Sequence, residues 1–330
     1  MQRIAVIGAG AWGTALATVA QRAGCDVLIH AHEAETVAAI NSHHENKTFL
    51  PGVPLEHSIT ATDDLAHAVD GADAILMVTP AQFMRATLTA LAPSPKSKPP
   101  LVICSKGIEL DTGKLMSEVA EEVAPNADLA ILSGPTFAAE VARGLPTAVT
   151  LACTTASTAS ALAAALGTPS FRPYTATDLV GVEVGGAIKN VIAIACGIVE
   201  GRGLGENARA AVIARGLAEI TRFAAELDAD PRTLMGLSGL GDLTLTCTSS
   251  ASRNYSLGAA LGSGTTYTEA MTGKNSVAEG VTTAPALLTR AQALGVEMPI
   301  CAAVRAILHD GAGVADTISE ILARPLRAED

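Results

Sequence analysis

The chain has 330 residues, 49% of them hydrophobic and 17% charged, which is enough apolar material for two cores and excludes a disordered chain. A formal charge of −11 with no basic run excludes a nucleic-acid surface, because phosphate contacts need clustered Lys and Arg; a local basic pocket for an anionic ligand stays open. Aromatic residues make up only 3%, so the cores must be built from Ala, Val, Leu and Ile, which suits helices and parallel strands.

The N-terminus, "MQRIAVIGAG", enters an apolar strand at Ile4 to Ile7 with no small-residue cleavage site, so it does not read as a signal peptide. The continuation, "VIGAGAWGTALATVA", carries Gly8-x-Gly10-x-x-Gly13 between that strand and a small-residue helix. In that context the glycines permit a tight turn, close approach of backbone to a pyrophosphate, and close packing of helix on strand. A second strand, Asp26 to Ile29, leads into His30, Ala31, His32 and Glu33. An Asp or Glu at the strand end is usual where an NAD ribose binds. Here His32 could face a 2′-phosphate, Glu33 could accept from a ribose hydroxyl, or both could be solvated.

Further strands are expected at Ala74 to Val78, Leu101 to Cys104, Leu129 to Leu132, Ala148 to Ala152 and Phe171 to Tyr174, alternating with alanine-rich helical segments. This alternation predicts a parallel sheet with crossover helices. "APSPKSKPP", residues 92 to 100, runs directly into the strand "LVICS" and reads as a surface loop within the first domain. "LVICSKGIE" puts Lys106 just past a strand, and "LAILSGPTFAAEV" puts Gly134, Pro135 and Thr136 between a strand and a helix. Both are places where α/β sheets bind ligands, and both also read as ordinary loops.

After "TATD", with Thr177 or Asp178 as N-cap, strand signals nearly vanish and helical periodicity takes over. The expected organisation is α/β: a Rossmann-like dinucleotide-binding domain over residues 1–176, then an all-α substrate domain over 177–330. In "GGAIKNVIAIACGIV", one helix over 178 to 199 would align Gly181, Gly185 and Lys189 on one face. Helix-interior glycines cost about 1 kcal/mol each relative to Ala, so those at 181, 185 and 186 imply a close neighbour, either a helix or a ligand. Lys189 itself reads either as a snorkelling side chain or as an acid/base. Its neighbour Asn190, and its place at the opening of a domain that follows a dinucleotide fold, favour the second.

"GLSGLGDLTLTCTSSASRN" surrounds Asp242 with glycines and continues through Thr246 to Ser252, Arg253 and Asn254. Arg with Ser and Asn at a helix start makes a phosphate cradle, although Arg253 also reads as a solvated helix-start charge. Helices are further expected at Asn207 to Leu227, Asn254 to Leu261, Val277 to Leu294, Pro299 to His309 and Val314 to Ala323. The longest apolar run outside the N-terminus, Val191 to Val199, is too short to span a bilayer, so no stable membrane insertion is expected. Six cysteines, each more than forty residues from the next, form no CxxC pair. They suggest neither a metal site nor a disulfide framework, and fit reduced thiols in the cytoplasm.

Six stretches now carry a resemblance: "GAGAWGTALA", "SKGIE", "SGPTFAAEV", "GGAIKNVIAIACGI", "GLSGLGDLTLTCTSSASRN" and "VAEG". In order, and over nearly the whole chain, they resemble the NAD(P)-dependent sn-glycerol-3-phosphate dehydrogenase family. The resemblance implies Lys189 as the catalytic lysine and Asp242 as its substrate-binding partner. It implies substrate contacts at Lys106, Gly134, Thr136, Ser252, Arg253 and Asn254, with Asn190 and Thr246 also lining the pocket. For NAD(P)H it adds Ala11, Trp12, His32, Phe49, Lys106, Ala138, Arg253, Val277 and Glu279 to the glycine turn. The implied reaction interconverts dihydroxyacetone phosphate and sn-glycerol 3-phosphate, supplying the latter for phospholipid synthesis. The implied partner is a small phosphate ester, and a homodimer is compatible with the chain.

Many relatives carry an aromatic residue and then an Arg after the second strand, where this chain has His30 and His32, so the choice between NAD and NADP stays open. A β-hydroxyacid dehydrogenase of the hydroxyisobutyrate type also joins a Rossmann domain to a lysine-bearing helical domain. Such enzymes usually place an Asn one turn after the lysine, where this chain has Ala193. A non-catalytic dinucleotide-binding regulator would not need Lys106, Lys189, Asp242 and Arg253 together.

Overall fold

Each short β-branched run of the first half forms a strand because its residues are apolar on both sides and must be covered on both faces. The structure, a computed structural model, describes residues 1–91, 98–272 and 278–325. The strands are β1 (Arg3–Ile7), β2 (Asp26–His30), β3 (Thr60–Thr62), β4 (Ala74–Met77), β5 (Leu101–Ile103), β6 (Leu129–Ser133), β7 (Thr147–Cys153) and β8 (Phe171–Ala176). They form a single eight-stranded sheet in the order β3-β2-β1-β4-β5-β6-β7-β8. Strand β3 has no counterpart in the sequence reading, since Thr-Ala-Thr is too short to display a period.

The sheet is not parallel throughout: β7 pairs antiparallel with β6, and β8 pairs parallel with β7. The β6–β7 connection, residues 134–146, contains only the five-residue helix Ala138–Ala142 and delivers the chain into β7 running back alongside β6. Strands β1 to β6 end together, with Ile7 opposite both His30 and Met77, and Ile103 opposite both Met77 and Ile131. Gly8, His30, Val78, Cys104 and Gly134 therefore lie along one sheet edge.

Two apolar clusters cover the sheet faces. One surrounds Leu16, Ile29, Leu162 and Phe171; the other surrounds Ile75, Met84, Met116 and Val119. A third cluster fills the helical half around Ile188, Ile192, Phe223 and Leu287. Val182 belongs to the second cluster, while Ile108 and Leu115 belong to the third, so each half seals part of the other.

The axis of the helical half is Leu179–Gly201, capped by Asp178, whose carboxylate accepts from the Gly181 N–H at 2.8 Å. This helix is longer than the apolar run read from the sequence. By length and composition it could cross a bilayer, yet its whole 18-residue apolar window is buried inside the protein. Around it lie Gly205–Ala225, Asp242–Cys247, Arg253–Gly262, Glu279–Ala293, Pro299–His309 and Val314–Leu322. The sequence reading located all of these except Asp242–Cys247, and began the Glu279–Ala293 helix at Val277, which lies outside the described residues. The helices Leu179–Gly201 and Arg253–Gly262 cross at backbone distance. A Cβ added to Gly197 would lie 2.0 Å from the Tyr255 carbonyl oxygen, and one added to Gly258 would lie 2.0 Å from that of Ile194.

Candidate active site

The lysine helix holds its polar residues against a glycine notch, and the notch is filled by protein. A Cβ on Gly185 would lie 2.7 Å from the Ser238 carbonyl oxygen, and one on Gly186 would lie 2.6 Å from Ser133 Oγ and 3.6 Å from Lys106 Cγ. Gly185 thus admits the π-helical turn Leu237–Gly241, which leads directly into Asp242. Gly186 admits the end of β6 and the stem of Lys106. The two glycines make room for the two segments that complete the site around Lys189.

That site is an ion-paired cluster centred on Asp242, which is wholly buried. Lys189 Nζ donates to Asp242 Oδ1 at 2.5 Å and to Thr246 Oγ1 at 2.9 Å. Lys106 Nζ donates to Asp242 Oδ2 at 2.7 Å and to the Gly134 carbonyl at 3.2 Å. One carboxylate therefore bridges an amine at the edge of the sheet and an amine from the core helix. Burial pushes the Lys189 amine down to about 8, despite the upward pull of Asp242, and the Lys106 charge adds to the lowering. An amine in that range both donates and accepts a proton near neutral pH.

A second polar chain adjoins the first. Asn254 Nδ2 donates to Asn190 Oδ1 at 3.0 Å, while Asn254 Oδ1 accepts from the Gly280 N–H at 3.0 Å. This joins the lysine helix to the starts of the Arg253–Gly262 and Glu279–Ala293 helices. Burial raises the Glu279 carboxyl, opposed by the charges of Arg253, Lys106 and Lys189. Arg253 is exposed and makes no hydrogen bond or ion pair among the described residues. Beside it lies a cleft of about 330 Å³, lined also by Ser250, Leu257, Met271 and Ala278. Ser252 Oγ caps its helix, accepting from the Tyr255 N–H at 3.2 Å. Thr136 donates to the Gly134 carbonyl at 3.1 Å, and Gly134, at φ +151°, packs where a Cβ would lie 2.9 Å from Val149 Cα.

The glycine turn forms the other end of the site. Gly8 has φ +114°, and a Cβ on Gly13 would lie 1.9 Å from the Gly8 carbonyl oxygen, so both are required by the turn and its packing. Gly10 differs: a Cβ there would meet nothing within 4 Å. Gly10 is also the N-cap of Ala11–Arg22, and no side chain caps that helix. An open, uncapped helix start next to a Gly-rich turn suits a pyrophosphate. The buried Trp12 Nε1 has no partner among the described residues, a further donor at the same turn. These residues fit a dinucleotide.

Ala11, Trp12 and Ala138 pack against one apolar cluster, and the helix Ala138–Ala142 lies against the helix Ala11–Arg22 that follows the glycine turn. His32 and Glu33 are exposed beyond β2, and Phe49 is half-buried. Val277 lies outside the described residues. The reading from sequence missed Asn46, which is buried between Phe49 and the glycine turn. It lies in the polar run "NSHHENKTF", where nothing in composition or spacing distinguishes it from its neighbours.

The chain matches the family model for the NAD-dependent glycerol-3-phosphate dehydrogenase N-terminus over residues 3–159, and the corresponding C-terminus model over residues 178–319. It is 58% identical over 328 residues to a glycerol-3-phosphate dehydrogenase [NAD(P)+] of Caulobacter vibrioides, covering 99% of each chain. It is 56% identical to the enzyme of that name from Rhodospirillum rubrum, covering 100% of this chain and 94% of that one. Among solved structures, the glycerol-3-phosphate dehydrogenase of Coxiella burnetii superposes with a TM-score of 0.95 at 37% identity, covering 98% of this chain and 99% of that one.

Proposed function

Because this chain belongs to the NAD-dependent glycerol-3-phosphate dehydrogenase family, we propose that Lys189, held by Asp242 and Thr246, is its catalytic acid and base. The enzyme interconverts dihydroxyacetone phosphate and sn-glycerol 3-phosphate with NAD(P)H, supplying the latter for phospholipid synthesis. The bound nicotinamide supplies or takes up the hydride at C2 of the substrate.

The observation that carries the residue assignment is the single Asp242 carboxylate joining Lys106 and Lys189 at the ligand edge of the sheet. Lys189 donates a proton to the substrate carbonyl oxygen as negative charge develops there, and removes it in the reverse direction. Lys106 adds a second positive charge facing that oxygen. Asp242 and Thr246 fix the direction of the Lys189 amine. Arg253, exposed beside its cleft and without a hydrogen bond or ion pair among the described residues, reads the phosphate with Asn254 and the helix start. Gly134, Thr136 and Asn190 complete the substrate side. Gly8, Gly10, Ala11, Trp12, Gly13, His32, Phe49, Ala138, Val277 and Glu279 serve the dinucleotide.

The division into domains at residues 176 and 177 belongs to the same proposal, as do residence in the cytoplasm, a homodimeric assembly and the absence of stable membrane insertion. Six free, buried cysteines support residence in the cytoplasm, and the enclosed apolar helix supports the absence of membrane insertion.

The test follows nicotinamide absorbance with dihydroxyacetone phosphate and NADH or NADPH in turn. Lys189→Ala is expected to abolish turnover, by a thousandfold or so, while leaving fluorescence-detected dinucleotide binding within a fewfold of the parent. Near-normal turnover in that variant overturns the assignment.

A further inference from the structure

Asn46 is 1% exposed, and its side chain makes hydrogen bonds on both sides. Its Nδ2 donates to the Ala9 carbonyl at 2.7 Å and to Thr14 Oγ1 at 2.8 Å, and its Oδ1 accepts from the Phe49 N–H at 3.2 Å. Ala9 is the residue between the first two glycines of the turn, and Thr14 lies on the following helix. Phe49 belongs to a loop closed by the bridge between Glu45 and Pro54 and by the Leu55 N–H donating to the His44 carbonyl at 2.8 Å. One amide group therefore fastens that loop to the glycine turn.

The Ala9–Gly10 peptide gives this contact a consequence. In a trans peptide the carbonyl and the following N–H point in opposite directions, and no peptide bond described here is cis. With the Ala9 carbonyl drawn inward to Asn46, the Gly10 N–H is turned away from the interior, and Gly10 borders open space. Rotation of that peptide would break the bond to a 1%-exposed amide and leave a buried donor unpaired.

We propose that Asn46 is a positioning residue for the dinucleotide. It orients the Gly10 N–H toward the pyrophosphate and sets the backbone of Phe49 in the same step. The inference rests on the reading of the glycine turn as the pyrophosphate site, and its test separates the two. Asn46→Asp keeps the size and the acceptor for Phe49 but removes the amide donor to Ala9, leaving that carbonyl only the 3.4 Å bond from Thr14 Oγ1, and Asn46→Ala removes both amide contacts. Gly10→Ala tests the turn itself. At φ −65° and ψ 177°, with nothing within 4 Å of the added methyl, it folds without strain and places that methyl in the pyrophosphate space.

NADH and NADPH binding are titrated through the fluorescence of Trp12, the only tryptophan, alongside KM and kcat for both substrates and thermal melts. Both Asn46 variants are expected to raise Kd and KM for the dinucleotide about tenfold, the loss of one well-placed donor, with kcat and the KM for dihydroxyacetone phosphate within about twofold. A role confined to folding would lower the melting temperature and leave dinucleotide KM in the folded fraction unchanged, and that result overturns the proposal. If Gly10→Ala binds dinucleotide like the parent, the turn is not the pyrophosphate site, and both the reading and the proposal fall. Loss of binding in Gly10→Ala with normal binding in both Asn46 variants removes the proposal alone.

Discussion

Asp242 concentrates the electrostatics of the site in one side chain: it is wholly buried and bonded to two amines. Asp242→Asn would leave Lys106 and Lys189 facing each other without an anion between them. Since Asp242 raises the Lys189 amine, its loss lowers that amine from about 8 by a further one to three pH units, roughly the effect of a close opposite charge. Carbonyl reduction needs the protonated amine, so its kcat/KM falls as pH rises through the free-enzyme pKa. The alkaline limb of the parent profile is therefore expected near pH 8, and that of Asp242→Asn well below it. Removing one partner of a buried ion pair also costs about 3–5 kcal/mol, which urea denaturation would register. At this scale the sequence disclosed a good deal. Lys189 was visible as a charge in an apolar run, and Lys106 as a charge just past a strand. Which of two opposing effects sets the Lys189 amine was not visible, because burial and the Asp242 distance are properties of the folded chain. Asn46 was equally hidden, because its importance lies in a carbonyl 37 residues away in sequence.

Among the elements, the crossing of Leu179–Gly201 with Arg253–Gly262 admits the least change. Gly197 and Gly201 on one helix oppose Gly258 and Gly262 on the other, and the atoms met by an added Cβ are backbone carbonyls that no side-chain rotation can move aside. Gly258→Ala is expected to cost about 1–3 kcal/mol or more, since relief requires the helices to separate. A fall of several degrees in the melting temperature would show it, and unchanged stability would mean that the helices shift freely. Strand and helix existence was legible from apolar period and alanine content, as β1 and Pro299–His309 show. The antiparallel entry of β7 was not legible, because a strand's sequence carries no mark of its direction. The π-helical turn at Leu237–Gly241 was likewise hidden: Gly185 and Gly186 announced a close neighbour without saying that this turn was it.

Across the whole molecule, the two halves meet at a buried acid. Glu183 on the lysine helix accepts from the Ser117 N–H at 3.0 Å and from Ser117 Oγ at 2.6 Å, on the first turn of Met116–Val123. The same short helix is held by Arg290 through the Glu118 carboxylate. Burial pushes the Glu183 carboxyl up to about 7; its bonds to Ser117 and Met116 pull it down, and the nearby Glu118 charge adds to the rise. Between the ordinary carboxylate range and pH 7 the folded chain holds a proton that the unfolded chain has released. The stability this confers is complete at low pH and is lost as pH rises through about 7. Glu183→Gln has no such proton to lose. Its stability relative to the parent is expected to grow by on the order of 2–3 kcal/mol between pH 5 and pH 8, read from paired thermal melts. Parallel profiles would show that Glu183 does not titrate there.

The reversal of β7 and β8 also fixes the spacing of the chain. Because β8 descends toward the level where β6 begins, the lysine helix starts near that level and climbs back to the end of β6, where Gly186 meets Ser133. Leu179 to Lys189 spans about 15 Å of helix, close to the length of a five-residue strand. The interval from Asp178 to Lys189 therefore acts as a ruler cut to the height of the sheet. One inserted residue would turn the amine about 100° away from Asp242, and four would bring it back to within about 40° while overshooting the sheet edge by about 6 Å. Length variation of the kind surface loops absorb is closed to this segment, however conservative the inserted residues.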